Sequence, residues 1–134
     1  MAISTGPLED RVAIRELHDS YGDAVFRRDA AAWGENWAPD ATWNLMGNDF
    51  KGRQAIVELW NHAMGGFTFV GFFTQQGPLT ITGNTAHGIV YTNEVLEQKD
   101  GKLFRQVGMY TDEYVKTDGR WYFARRAFKA LKEN

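Results

Sequence analysis

From Gly65-Gly66 onward the hydrophobic period of this chain changes from helical spacing to strict alternation. Before that point Ile14, Leu17, Tyr21, Ala24 and Val25 recur at helical spacing between Leu8 and Arg28, with Glu9, Asp10, Arg11, Arg15, Glu16 and Asp19 on the remaining face. The pattern predicts one amphipathic helix of about five turns. Asp29 is a good N-cap for a short second helix carrying Trp33 and Trp37 and ending before Ala38-Pro39-Asp40. A strand over Ala41 to Met46 follows, then a third helix, Gly52 to Met64, with Ile56, Leu59, Trp60 and Ala63 on one side. Beyond it Phe67 to Gln76, Leu79 to Thr82, Thr85 to Gln98, Leu103 to Lys116 and Trp121 to Lys129 read as consecutive antiparallel strands. Gly83-Asn84, Asp100-Gly101 and Asp118-Gly119 mark the turns. Helices first and strands afterwards make an α+β fold, with three N-terminal helices packed on an antiparallel sheet.

At 134 residues the chain fits one domain spanning 1–134. Five Trp, five Tyr and nine Phe are more than a surface needs, so the fold encloses a wide interior that is either core or pocket. Fifteen basic and seventeen acidic side chains are interspersed, which argues against a nucleic-acid or anionic-membrane partner. The absence of cysteine rules out disulfides and thiolate metal sites, and the scattered His18, His62 and His87 read as surface or interface residues rather than metal ligands. The segment Met1 to Pro7 carries no leader pattern, and no apolar stretch approaches the roughly 18 residues of a membrane span. The expectation is a cytoplasmic, soluble protein.

The two Asp-Gly turns leave the strand registers open. Two-residue loops would pair Glu94 with Val107 and Thr111 with Arg126. Three-residue loops would pair Glu94 with Gln106, Val90 with Tyr110, Tyr110 with Arg126 and Asp112 with Ala124. The second choice gathers Glu94, Gln106, Tyr110, Asp112 and Arg126 on one face. It leaves His87, Ile89, Tyr91, Val107, Met109, Trp121 and Phe123 on the other, too apolar for water. Another subunit is expected to cover that face, making a homo-oligomer, dimer or trimer.

Three stretches carry a family likeness: Asp10-Arg-Val-Ala-Ile-Arg-Glu-Leu17, Trp37-Ala-Pro-Asp-Ala-Thr-Trp43 and the segment from Gly108 to Arg126. They resemble the SnoaL-like branch of the NTF2-like superfamily, which includes scytalone dehydratase, hexachlorocyclohexane dehydrochlorinase and, more distantly, ketosteroid isomerase. The resemblance covers nearly the whole chain and implies a cone-shaped, cystatin-like α+β barrel with a pocket between helices and a curved sheet. It also implies chemistry without a cofactor, in which a side-chain base removes a proton and hydrogen-bond donors support the developing charge. Where the dehydratase and dehydrochlorinase carry a helix aspartate and a strand histidine, this chain has Phe26 and, depending on the gap, Gln76 or Thr74. Glutamine and threonine cannot act as that base. The isomerase's aspartate falls on Leu45, so that base is missing too.

By the same resemblance Tyr21, Trp43, Tyr110 and Arg126 match pocket positions. Glu94 stands where relatives carry apolar side chains; a carboxylate there, buried among aromatic and aliphatic groups, would have a raised pKa and be a better base near neutrality. The expected catalytic set is therefore Glu94, Tyr21 and Arg126, with Trp43, Gln76, Tyr110, Asp112, Phe26 and Trp60 contacting substrate. A structural alternative pairs Asp112 with Arg126 as an ion pair under the sheet. The expected activity is a cofactor-independent lyase or isomerase (a dehydratase, a double-bond isomerase or an aryl side-chain cleaving lyase) acting on a small hydrophobic, cyclic or aromatic compound. A non-catalytic ligand-binding or assembly module is the alternative.

Overall fold

The structure, a computed structural model, describes residues 3–134. Met1 and Ala2, part of the segment read above as leader-free, lie outside the described residues. The elements run α1 (Leu8–Arg27), α2 (Ala30–Gly34), β1 (Trp37–Leu45), β2 (Asn48–Lys51), α3 (Arg53–Met64), β3 (Phe67–Thr82), β4 (Thr85–Gln98), β5 (Leu103–Thr117) and β6 (Arg120–Glu133). One six-stranded sheet takes the order β2-β1-β6-β5-β4-β3, so the curved sheet is open, with β2 and β3 at its edges. All neighbours are antiparallel except β1 and β6, which run parallel. The expected α+β class and helix-on-sheet arrangement are observed. No helix is long and apolar enough to cross a membrane among the described residues.

The apolar stripe of α1 is the stripe expected, with Ile14, Leu17, Tyr21, Ala24 and Val25 all buried. Asp29 caps α2 by accepting from the Ala32 amide at 3.0 Å. Yet α2 stops at Gly34, and Trp37 belongs to β1, opposite Phe123 of β6. Pro39, two residues on, has no amide hydrogen with which to prolong a helix. The two indoles still meet, with ring centroids 5.6 Å apart, but from a helix and a strand. The short, polar β2 gave no alternation to read; it closes a hairpin with β1 through Met46-Gly47. The stretches Phe67 to Gln76 and Leu79 to Thr82 are one strand, interrupted by a register shift at Gly77-Pro78.

The registers split the expectation. Between β4 and β5 the loop holds three residues with Gly101 at φ 86°, and Glu94 faces Gln106 while Val90 faces Tyr110, as anticipated. Between β5 and β6 the loop holds only Asp118 and Gly119, both at positive φ, and Thr117 faces Arg120. A bulge at Ala124 then shifts the register, so that Glu113 faces Arg125 but Tyr114 faces Phe123. Its result is that Asp112, not Tyr110, lies opposite Arg126, and Tyr110 faces Phe128. The two-residue loop turns Trp121 and Phe123 inward, where both are buried, rather than onto the outer face, and the bulge brings Arg126 to that same inner face. Trp121 reaches back to α1 and donates to Asp10 at 3.0 Å, while Lys116 donates to the same oxygen at 3.0 Å. Asp10 is therefore buried, against its expected place on the polar face, and these donors hold its pKa below the ordinary carboxylate value.

Candidate active site

The inward-facing residues form rows across the sheet, and the rows set the site. One row places Phe72, Glu94 and Gln106 side by side; another places Val90, Tyr110, Phe128 and Leu45; a third places Asp112, Arg126 and Trp43. Above the first two rows, α1 and α3 leave a cavity of about 780 Å³, large enough for a small organic molecule. Tyr21, Trp43, Trp60, Glu94 and Tyr110 line it. At Gly108 an added Cβ would sit 2.3 Å from the Phe128 ring, so the glycine makes room for Phe128 to lie flat in the floor. Trp60 stacks on Trp33 with centroids 4.6 Å apart and planes 12° from parallel, which fixes that wall.

Glu94 lines the cavity as a half-buried carboxylate. Burial among apolar side chains raises its pKa from 4.5 to about 7, an effect only partly opposed by the charge of Arg126. Near neutral pH it is therefore divided between a proton acceptor and a proton donor. The donors facing the same space are the Tyr21 and Tyr110 hydroxyls, and the Trp43 indole donates to the Tyr110 oxygen at 3.2 Å. Burial raises the pKa of both tyrosines, so each keeps its proton to give as a hydrogen bond.

Arg126 does not face the cavity. It is wholly buried beneath the tyrosines, with Nε 2.7 Å from one Asp112 oxygen and Nη2 3.1 Å from the other. Its guanidinium carbon lies 3.7 Å from the Tyr110 ring centroid, 4.4 Å from that of Phe123 and 4.7 Å from that of Tyr21. Nη1 has no hydrogen-bond partner. Asp112 is equally buried, and burial pushes its pKa up against the pull of the arginine; the two-pronged geometry is that of an ion pair. This is the structural alternative anticipated for the pair, and it replaces direct substrate contact by either residue. Tyr114 donates to Asp112 at 3.3 Å, and His18 Nε2 lies 2.7 Å from the Tyr114 oxygen. With the tyrosine proton committed to the carboxylate, His18 Nε2 carries its own proton and donates to Tyr114.

Two other expected contacts fall outside the cavity. Gln76 lies in the Val90 row on edge strand β3, beyond the wall. Phe26 is 44% exposed and packs edge-on against Phe73 at 5.5 Å, because the last turn of α1 rides over the edge of the sheet. His62 and His87 are exposed as expected, but His18 is 4% exposed, one helical step from Leu17 and Tyr21. Its place on the buried face was readable: His18 lies four residues from Ile14 and three from Tyr21. Met46 and Phe128 also line the cavity without having been anticipated; Phe128 alternates in phase with Arg126, which would have shown it. Among the described residues no cluster of His, Asp and Glu could hold a metal ion.

The SnoaL-like domain family matches residues 6–127 of this chain. The sequence is 26% identical over 125 residues to the gamma-hexachlorocyclohexane dehydrochlorinase of Sphingobium indicum, spanning 89% of this chain and 79% of the relative. Among solved structures, a type 2 hexachlorocyclohexane dehydrochlorinase superposes with a TM-score of 0.87 at 21% identity, covering 95% of this chain and 88% of that one. A Novosphingobium aromaticivorans protein named for scytalone dehydratase does so with a TM-score of 0.85 at 16% identity, covering 95% and 87%. At these identities the structural likenesses concern the fold.

Burial and the neighbouring Arg126 charge hold the His18 pKa well below 6.5. Below pH 6.5 the unfolded chain therefore binds a proton that the folded chain refuses, and stability falls as the pH falls. Between pH 7 and pH 5.5 the protein is expected to lose about 1 kcal/mol more stability than a His18→Gln variant. Urea unfolding of both proteins at the two pH values measures the difference; equal losses would show that His18 is protonated in place.

Proposed function

The chain belongs to the SnoaL-like domain family, and on that premise we propose that it is a cofactor-independent lyase or isomerase acting on a small, hydrophobic, cyclic or aromatic molecule. Fold alone leaves the reaction open, because one scaffold hosts many chemistries. The observation that carries the reading is Glu94, a carboxylate raised to about 7 inside a cavity that also presents the Tyr21 and Tyr110 hydroxyls. The carboxylate removes a proton from carbon, and the electron pair moves toward an oxygen held by the two tyrosines. Arg126 acts from behind, its charge against the faces of both tyrosine rings, and Trp43 fixes the Tyr110 oxygen. Returning the proton elsewhere gives an isomerase, and expelling a leaving group gives a lyase. The relative named for hexachlorocyclohexane dehydrochlorination eliminates from a cyclic apolar molecule, which fits a cavity of this lining. A cavity open to a ligand speaks against a purely structural module.

The whole chain works as one domain, and we assign it to a homo-oligomer. The outer sheet face exposes Phe69, Phe73, Tyr91, Leu103, Val107 and Leu131, each at least 41% accessible, and water is a poor cover for such a face. Size-exclusion chromatography with light scattering is expected to give a dimer or trimer, and a clean 15.2 kDa species would overturn the assignment.

A test of the chemistry that needs no known substrate is proton exchange. Neutral cyclic and aryl ketones incubated in heavy water with the protein are expected to exchange their acidic C–H positions, read by proton NMR. The rate should rise with pH to a plateau above about 7, since the base works only when ionised. Glu94→Gln should lower it by about 100-fold or more. Exchange unchanged in that variant would remove Glu94 from the mechanism.

A further inference from the structure

The turn between β1 and β2 is a two-residue hairpin loop, Met46-Gly47, closed by the pair Leu45 and Asn48. Both loop residues are left-handed, with φ 51° at Met46 and 80° at Gly47. Loops of this kind favour Asn-Gly or Asp-Gly, since asparagine, aspartate and glycine tolerate that backbone at less cost than methionine. The fold gains little in return, because the Met46 side chain is 90% exposed and packs against no core residue. A conformationally unfavourable, unpacked apolar side chain needs a use other than folding. Met46 and Gly47 stand at the rim of the 780 Å³ cavity, next to Leu45 in its wall.

We infer that Met46 is a ligand-contacting, specificity-setting residue whose thioether covers an apolar molecule seated in the cavity. The Tyr21 and Tyr110 hydroxyls lie at the inner end, Glu94, Gln106, Lys129 and Glu133 line the cavity farther out, and Leu45 and Met46 add hydrocarbon and sulfur from the hairpin. The molecule it fits has an oxygen directed inward to the tyrosines and a ring or hydrocarbon portion directed toward the hairpin. A methionine suits that portion better than a branched or polar side chain, because its unbranched thioether follows the contour of whatever it meets. The inference rests on reading the cavity as a ligand site, but not on Glu94 acting as a base.

Trp43 and Trp60 line the same cavity, so quenching of tryptophan fluorescence by 4-nitroanisole, an uncharged aromatic ether, reports occupancy. Met46→Asn supplies the residue the turn prefers. It is expected to leave the thermal midpoint unchanged or raised while weakening probe binding by about threefold or more, the scale of a partly buried methionine side chain. Met46→Leu, which keeps the apolar bulk, is expected to bind within about twofold of the parent protein. Equal binding by the parent and Met46→Asn would overturn the role of Met46 and leave the cavity reading intact, as would weaker binding accompanied by a lower thermal midpoint. Absence of saturable quenching in the parent protein would overturn both.

Discussion

The interior of this protein is organised by one buried ion pair, Arg126 with Asp112. Leaving either charge unpaired at that depth costs about 3–5 kcal/mol, so the two must lie opposite each other on β5 and β6. A two-residue Asp-Gly loop followed by regular pairing would set Arg126 one residue out of register. The bulge at Ala124 corrects the register and brings Arg126 onto the face to which the two-residue loop has already turned Phe123 and Trp121. Phe123 then supplies one of three aromatic faces around the guanidinium, and Tyr21 and Tyr110 supply the other two. The second Asp112 oxygen accepts from Tyr114, which binds His18 and so ties α1 to the sheet. The placement of both pocket tyrosines thus follows from the needs of a charge that never reaches the pocket.

The same constraint shapes the chemistry available in the cavity. Because Asp112 occupies the arginine, the charge of Arg126 draws Glu94 only part of the way back toward an ordinary carboxylate pKa. Burial therefore dominates, and the carboxylate titrates where a general base is useful. The tyrosines remain protonated beside it for a related reason: desolvation outweighs the nearby positive charge. A base and a pair of donors share an apolar chamber without the histidine and aspartate that the resemblance would have supplied.

Much of this was legible in the residues, and what was not has physical causes. The stripe on α1, the change of period at Gly65-Gly66 and the placing of Glu94 with Gln106 and Tyr110 were readable because burial imposes strict spacing on helices and strands. The β5–β6 register was not, because Asp118-Gly119 is compatible with two loop lengths and a bulge leaves no signature in a run of alternating residues. Of the positions inferred from relatives, Trp43 lines the cavity where the sheet rows are continuous, whereas Gln76 and Phe26 lie outside it at the sheet edge. His18 was hidden by its type rather than its position: a neutral, hydrogen-bonded histidine packs on an apolar face, although its polarity suggests the surface.

The claim on which the account turns is that Glu94 titrates near neutrality inside the cavity. Carbon-13 NMR of the protein labelled at glutamate side-chain carboxyls, followed from pH 3 to pH 9 alongside Glu94→Gln, measures it directly. The account predicts one resonance with a midpoint of about 7 that is missing from the variant. If every glutamate titrates near the ordinary 4.5, the carboxylate is solvated and the proposed base is lost.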